Sequence, residues 1–87
     1  MRILYHRNFE KKYLKLRLEQ KEKFKEKEAL FMGDPFDPVL HNHLLYGEYA
    51  GYRSIDITGD LRAHYELVSE DIALFVNIGT HHELYGK

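Results

Sequence analysis

An α+β fold is expected for this chain, with two N-terminal helices packed on one face of a curved, mainly antiparallel sheet of four to five strands. Three observations predict it. Apolar residues recur at helical spacing in the first third of the chain, whereas from His43 onward they alternate with period two. Between the two regimes stands Gly33-Asp34-Pro35-Phe36-Asp37-Pro38, in which each proline biases the preceding residue away from helix. Two helices over one face of an antiparallel sheet is the simplest architecture that buries both apolar stripes.

The elements follow in order. Arg2 to His6 alternate enough for a short strand. Asn8 is expected to cap the first helix, because its side-chain oxygen can accept from a free amide of the first turn. Phe9, Tyr13, Leu14 and Leu16 recur at helical spacing, and Phe24 and Phe31 stand seven apart on a second amphipathic segment, which predicts helices over 8–17 and 19–32. Leu44 to Glu48 reads as a short strand, followed by a turn over Gly47 to Gly51. Tyr52 to Thr58 places Arg53, Ile55 and Ile57 on one face and Ser54, Asp56 and Thr58 on the other. Leu61 to Val68 sets Leu61, Ala63, Tyr65 and Leu67 opposite Arg62, His64 and Glu66. Ile72, Leu74, Val76 and Ile78 form the most regular stripe, and Gly79 to Lys87 reads as a tight turn with one helical turn.

One register is dictated by the pattern. A three-residue loop at 58–60 pairs Ile57 with Leu61, Asp56 with Arg62 and Ser54 with His64. A two-residue loop would set Ile57 against Arg62 and mix the faces. The face away from the helices therefore carries Ser54, Asp56, Arg62, His64 and Glu66, which suits either a wet sheet face with a cross-strand ion pair or a site.

The chain has 87 residues, enough for one small domain over 1–87, and its 44% hydrophobic and 31% charged content is that of a globular protein. Cysteine is absent, which excludes disulfides, thiolate metal sites and cysteine nucleophiles. No apolar run is long enough to span a bilayer, and Met1 to Arg7 turns polar too quickly for a signal peptide, so a cytoplasmic protein is expected. The net charge of -1 conceals an asymmetry: residues 1–28 carry ten Lys/Arg against five Asp/Glu, and residues 29–87 carry three against nine. The Lys-rich stretch is interleaved with glutamates, as on a solvated helix face; the sharper alternative is a surface that tracks nucleic-acid backbone. His41-Asn42-His43 spells the letters of an HNH nuclease without that motif's frame, and no carboxylate–histidine spacing repeats on one helix face, so no metal site is expected. His6 and His82 read as surface or packing histidines.

Several segments taken together resemble the RelE superfamily of toxins, most closely its YafQ-like branch. They are His43-Leu44-Leu45-x-Gly47, Gly51-Tyr52-Arg53-Ser54, Gly59-Asp60-Leu61-Arg62-Ala63-His64-Tyr65 and Ile78-Gly79-Thr80-His81-His82-Glu83-Leu84-Tyr85-Gly86. The resemblance implies the toxin half of a type II toxin–antitoxin pair, an endoribonuclease that cuts mRNA in the ribosomal decoding site without metal or other cofactor. In that chemistry the ribose 2′-hydroxyl attacks the adjacent phosphorus, leaving a 2′,3′-cyclic phosphate and a 5′-hydroxyl. It needs a base, an acid and cationic donors for phosphate charge.

Carried over by position, the resemblance makes His43, Asp60, Arg62, His81 and Tyr85 the catalytic set. His81 would be the general acid or a phosphate contact, His43 the base or its partner, and Arg62 the transition-state cation. Tyr85 would stack on a base or donate a proton, and Asp60 would orient a histidine or shape the hairpin. Asp56, His64 and Arg53 complete the expected RNA-contacting residues. Asp56 stands where members of this branch carry a further histidine, either as a base or as a counter-charge to Arg62. Arg53 shares its strand parity with Ile55 and Ile57, which favours a structural place under the sheet. The implied partners are a cognate antitoxin that folds on binding, the ribosome with its mRNA, and operator DNA only through the antitoxin complex; no membrane is implied. The alternative is a non-catalytic homologue that serves as an antitoxin-binding and co-regulatory module.

Overall fold

A computed structural model describes residues 1–86. The elements are β1 (Arg2–Tyr5), α1 (Arg7–Leu14), α2 (Leu18–Gly33), β2 (His43–Leu44), β3 (Arg53–Asp56), β4 (Leu61–Ser69), β5 (Ile72–Thr80) and α3 (His81–Tyr85). The strands form one open sheet in the order β1-β5-β4-β3-β2, with β1 parallel to β5 and the other pairs antiparallel. The α+β architecture with two helices against a mainly antiparallel sheet is therefore as expected.

Helix α1 starts one residue earlier than the pattern suggested, and its cap is different. His6 is the N-cap, its Nδ1 accepting from the Asn8 N–H at 3.0 Å. Asn8 lies inside the first turn, where its side-chain amide donates instead to the Val76 carbonyl at 3.2 Å. An imidazole nitrogen thus does the work expected of the asparagine oxygen, and His6 is more than a surface histidine. Helix α2 carries most of its glutamates and lysines on the solvent side, with an i,i+3 pair between Lys23 and Glu26 at 3.3 Å, and presents Phe24 and Phe31 to the sheet.

The core is aromatic. Phe9, Phe24 and Phe31 pack on Phe75 and Tyr65, with Phe31 edge-on to both at 5.4 and 4.9 Å and Tyr65 stacked on Phe75 at 5.3 Å. Tyr5 reaches from β1 to hydrogen-bond Glu28 of α2, whose carboxyl burial pushes up in pKa. The expected stripe of Ile72, Leu74, Val76 and Ile78 is broken, however. Ala73, Phe75 and Ile78 face the core, because a bulge between the Tyr65–Phe75 and His64–Asn77 pairs leaves Val76 as an extra residue. One inserted residue swaps the faces on either side of it, which the alternation alone does not reveal.

The β3–β4 hairpin has the expected register: Asp56 opposes Arg62, Ser54 opposes His64, and the Ile57 N–H donates to the Leu61 carbonyl at 2.8 Å. Strand β2 is shorter than the expected 44–48 run. It pairs only His43 with Ser54 and Leu44 with Arg53, after which the chain curls into a 3₁₀ turn over Gly47–Tyr49. Positive φ at Gly47 (67°) and Gly51 (95°) allows that curl, which turns the chain away after Leu45, whose N–H still donates to the Tyr52 carbonyl at 2.9 Å, and makes residues 46–50 a rim.

Candidate active site

The open face of the sheet, the 46–50 rim and α3 flank a cleft of about 860 Å³, within the span of roughly 300–1,000 Å³ usual for small-ligand sites. His43, Asp56, Arg62, His81 and Tyr85 all line it, together with Ser54, Tyr49 and His41. The four groups on which the nuclease expectation depended, His43, Arg62, His81 and Tyr85, thus face one concavity. They come from β2, β4 and both ends of α3.

The closing motif is mostly scaffold. Thr80 caps α3, its hydroxyl accepting from the Glu83 N–H at 3.1 Å while the Glu83 carboxylate accepts from the Thr80 N–H at 2.8 Å. That backbone hydrogen bond, with the Thr80 hydroxyl's help and against slight desolvation, holds the Glu83 carboxyl below its usual pKa range. A Cβ at Gly79 would sit 3.2 Å from the Glu83 carboxylate and 3.3 Å from its Cβ, so a larger residue there would have to push the Glu83 side chain aside by a few tenths of an ångström. Leu84 is buried, and Gly86 ends the helix at φ 70°. This frame leaves His81 and Tyr85 to face the cleft, their rings 4.7 Å apart.

Arg62 is held at two of its three nitrogens. Its Nε lies 3.0 Å from Asp56 Oδ1, and its Nη1 donates to the Thr58 carbonyl at 2.9 Å. Among the described residues Nη2 has no protein acceptor, which leaves one guanidinium edge for an anion. Asp56 also takes His41 Nδ1 on its other oxygen, at 2.8 Å. The carboxylate is thus a counter-charge and brace for Arg62.

His43 makes one directional contact: its Nδ1 lies 2.7 Å from the His41 carbonyl oxygen. A carbonyl only accepts, so Nδ1 carries the hydrogen and a neutral ring has its lone pair on Nε2.

Two expected RNA contacts lie elsewhere. His64 is 1% exposed, beneath Tyr49 and Tyr85, with Nε2 2.7 Å from the Tyr85 hydroxyl. Burial first, then the nearby His43 and Lys12 charges, lower its pKa to about 4, so it is neutral at physiological pH and positions Tyr85 rather than touching a ligand. The strand parity that aimed it away from the helices was right, but two aromatic rings cover it. Arg53 lies on the helix side, where its Nε donates to Asn42 at 2.7 Å and its guanidinium stacks on Phe36 at 5.2 Å. Asn42 in turn donates to the Tyr65 hydroxyl at 2.6 Å and to the Pro35 carbonyl at 2.9 Å, fastening the 34–42 segment to the core.

The Asp60 carboxylate is not part of the cleft lining; its backbone carbonyl accepts from the His81 N–H at 3.2 Å, so it places His81 through the main chain.

Of the other polar lining residues, Tyr49 was not singled out by sequence, whereas Ser54 was expected on this face and His41 was read only as part of the His41-Asn42-His43 triplet. Tyr49 donates to the Leu84 carbonyl at 2.6 Å and packs edge-on to Tyr85 at 5.6 Å, bolting the rim to α3. Ser54 is 1% exposed and its hydroxyl has no partner among the described residues, an unsatisfied donor in the cleft floor. Burial pushes the Tyr85 phenol up in pKa, opposed by the neighbouring Ser54 hydroxyl and the Arg62 charge, so it remains a donor. Among the described residues no group of three or more His, Asp or Glu side chains is disposed to hold a metal ion, and no helix is long and apolar enough to cross a membrane.

The chain resembles solved structures along nearly its whole length. YafQ from Escherichia coli strain BL21(DE3) superposes with a TM-score of 0.79 at 27% identity, covering 99% of this chain and 100% of that one. The E. coli DinJ–YafQ complex matches at 0.78 and 27%, with 99% and 100% covered. A YoeB/ParE toxin from Agrobacterium tumefaciens shares the fold at 0.77 with 20% identity, covering 93% and 99%. Comparison with curated protein sequences finds no match. The family described as "Bacterial toxin of type II toxin-antitoxin system, YafQ" matches residues 1–86, and with the fold and the cleft this means that the chain belongs to the YafQ family of toxins.

Proposed function

We propose that this toxin is a metal-independent endoribonuclease that cleaves mRNA on the ribosome in the cytoplasm, and that a cognate antitoxin neutralises it. The observation that carries the reading is the convergence of His43, Arg62, His81 and Tyr85 on one cleft. Each has a role matched to its surroundings. His43 Nε2 takes the proton of the attacking 2′-hydroxyl, since its Nδ1 is committed to the His41 carbonyl. The free Nη2 edge of Arg62 meets the charge that builds on phosphate. His81, exposed at the start of α3, protonates the leaving 5′-oxygen. Tyr85, held at its hydroxyl by His64, presents a ring on which a base stacks. The products are a 2′,3′-cyclic phosphate and a 5′-hydroxyl. The E. coli YafQ structure with DinJ supports an antitoxin partner for this chain as well. Operator DNA would be reached only through that complex.

A second reading has one observation in its favour: Asp56 already pairs with the cation that phosphate needs, as in a toxin homologue that binds antitoxin without cutting RNA. Expression without antitoxin, with 5′-hydroxyl ends mapped on ribosome-bound mRNA, separates the two. The nuclease reading expects discrete ends that fall ~100-fold or more in Arg62→Ala, the usual cost of one oxyanion donor. Wild-type protein that yields no such ends and leaves growth unchanged supports the binding module instead.

A further inference from the structure

We infer that His41 is a positioning residue that makes the base and the cation of the cleft one unit: its carbonyl selects the tautomer of His43, and its ring braces Asp56 against Arg62. What the unit does rests on the nuclease reading; that it exists does not.

His41 is the one described non-glycine residue with positive φ, 47°, at the end of the 3₁₀ turn Pro38–Leu40. Histidine tolerates this region better than most residues, yet glycine would take it without strain. Strained backbone of this kind concentrates where geometry is used. Here both halves of the residue are used. The left-handed conformation aims the carbonyl at His43 Nδ1, 2.7 Å away, and so leaves His43 Nε2 as the acceptor. The ring, meanwhile, meets Asp56 Oδ2 at 2.8 Å while Asp56 Oδ1 meets Arg62 Nε at 3.0 Å. Its side chain is 72% exposed, so packing does not explain it. An exposed pair of this sort adds little stability, and its value is directional.

The test joins NMR of the side chains to kinetics on the whole protein. In wild type, long-range 1H–15N correlations of the His43 ring should show the hydrogen on Nδ1, and the Arg62 Nε–H should exchange slowly. His41→Gly retains the carbonyl and the positive φ but removes the ring. The His43 tautomer should persist, Arg62 Nε–H exchange should quicken, and kcat on ribosome-bound mRNA should drop ~10-fold at unchanged KM, since small misplacements of a catalytic group are costly. His41→Asn also accepts this backbone and restores a side-chain N–H, so it should recover slow exchange and a kcat within ~3-fold of wild type. His41→Val resists positive φ, and there His43 should lose its Nδ1–H preference. A wild-type His43 protonated on Nε2, or an Arg62 exchange rate unaltered by His41→Gly, overturns the inference. If both NMR signatures hold and wild type cuts no mRNA, the unit stands and the nuclease reading falls.

Discussion

The helix-covered face of the sheet carries Ile55, Ala63, Tyr65 and Phe75 beneath Phe9, Phe24 and Phe31, whereas the open face carries Ser54, Asp56, Arg62 and His64, with Tyr49 and Tyr85 over His64. Strands β3 and β4 supply both faces from alternate residues, so the contrast is one of neighbours and not of backbone. On the covered side each buried ring adds hydrophobic stabilisation. On the open side, burial keeps His64 neutral, which costs stability as the pH falls. The comparison teaches that this small protein draws its stability from one face and buries polar groups on the other, the face that lines the cleft.

The largest expected effect is on the covered side. Phe31→Ala removes a fully buried ring and should lower stability by ~3–5 kcal/mol, measured as a shift in urea midpoint. A loss under ~1 kcal/mol would mean the aromatic cluster is not the main source of stability.

Acid should next expose the cost of the open face. His64 has its folded pKa lowered from 6.5 to about 4, so the unfolded chain binds a proton first as pH falls through that window. Stability therefore declines between pH 6.5 and about 4, by up to ~3 kcal/mol from this residue alone. Urea unfolding of wild type and His64→Gln at pH 7, 5.5 and 4 should give a shallower decline in the variant; parallel curves would sink this account.

Arg53 sharpens the boundary between the faces. Arg53→Met forfeits the hydrogen bond to Asn42 and should cost ~1–3 kcal/mol, with mRNA cleavage by the folded fraction unchanged. A specific loss of cleavage would return Arg53 to the RNA-contacting set. Smallest is Tyr49→Phe, which removes one hydrogen bond to the Leu84 carbonyl and should cost ~1 kcal/mol in thermal unfolding.

Much of this was readable from the residues. The alternation of 52–58 and 61–68 with a three-residue loop sufficed to pair Asp56 with Arg62 and Ser54 with His64. The helical aromatics announced the core. Less legible was anything set by a local exception: the bulge at Val76, the cap at His6, the early end of β2 and the left-handed turn at His41. The bulge, the cap and the left-handed turn are one-residue events, and β2 ends where two glycines turn the chain, so a pattern spanning many residues cannot register any of them. The candidate site residues came from the order of short motifs, which named His43, Arg62, His81 and Tyr85 but could not say that His64 is roofed over or that the Asp60 carbonyl accepts from the His81 N–H.

The sequence by itself determined which side of each strand a residue occupies and how β3 meets β4, because pleating and loop length act between near neighbours. Only the tertiary structure decided what lies above each face: Tyr49 and Tyr85 over His64, Asp56 between His41 and Arg62, a carbonyl against His43. Those contacts join residues far apart in the chain, and the protonation state and free edge of each group follow from them.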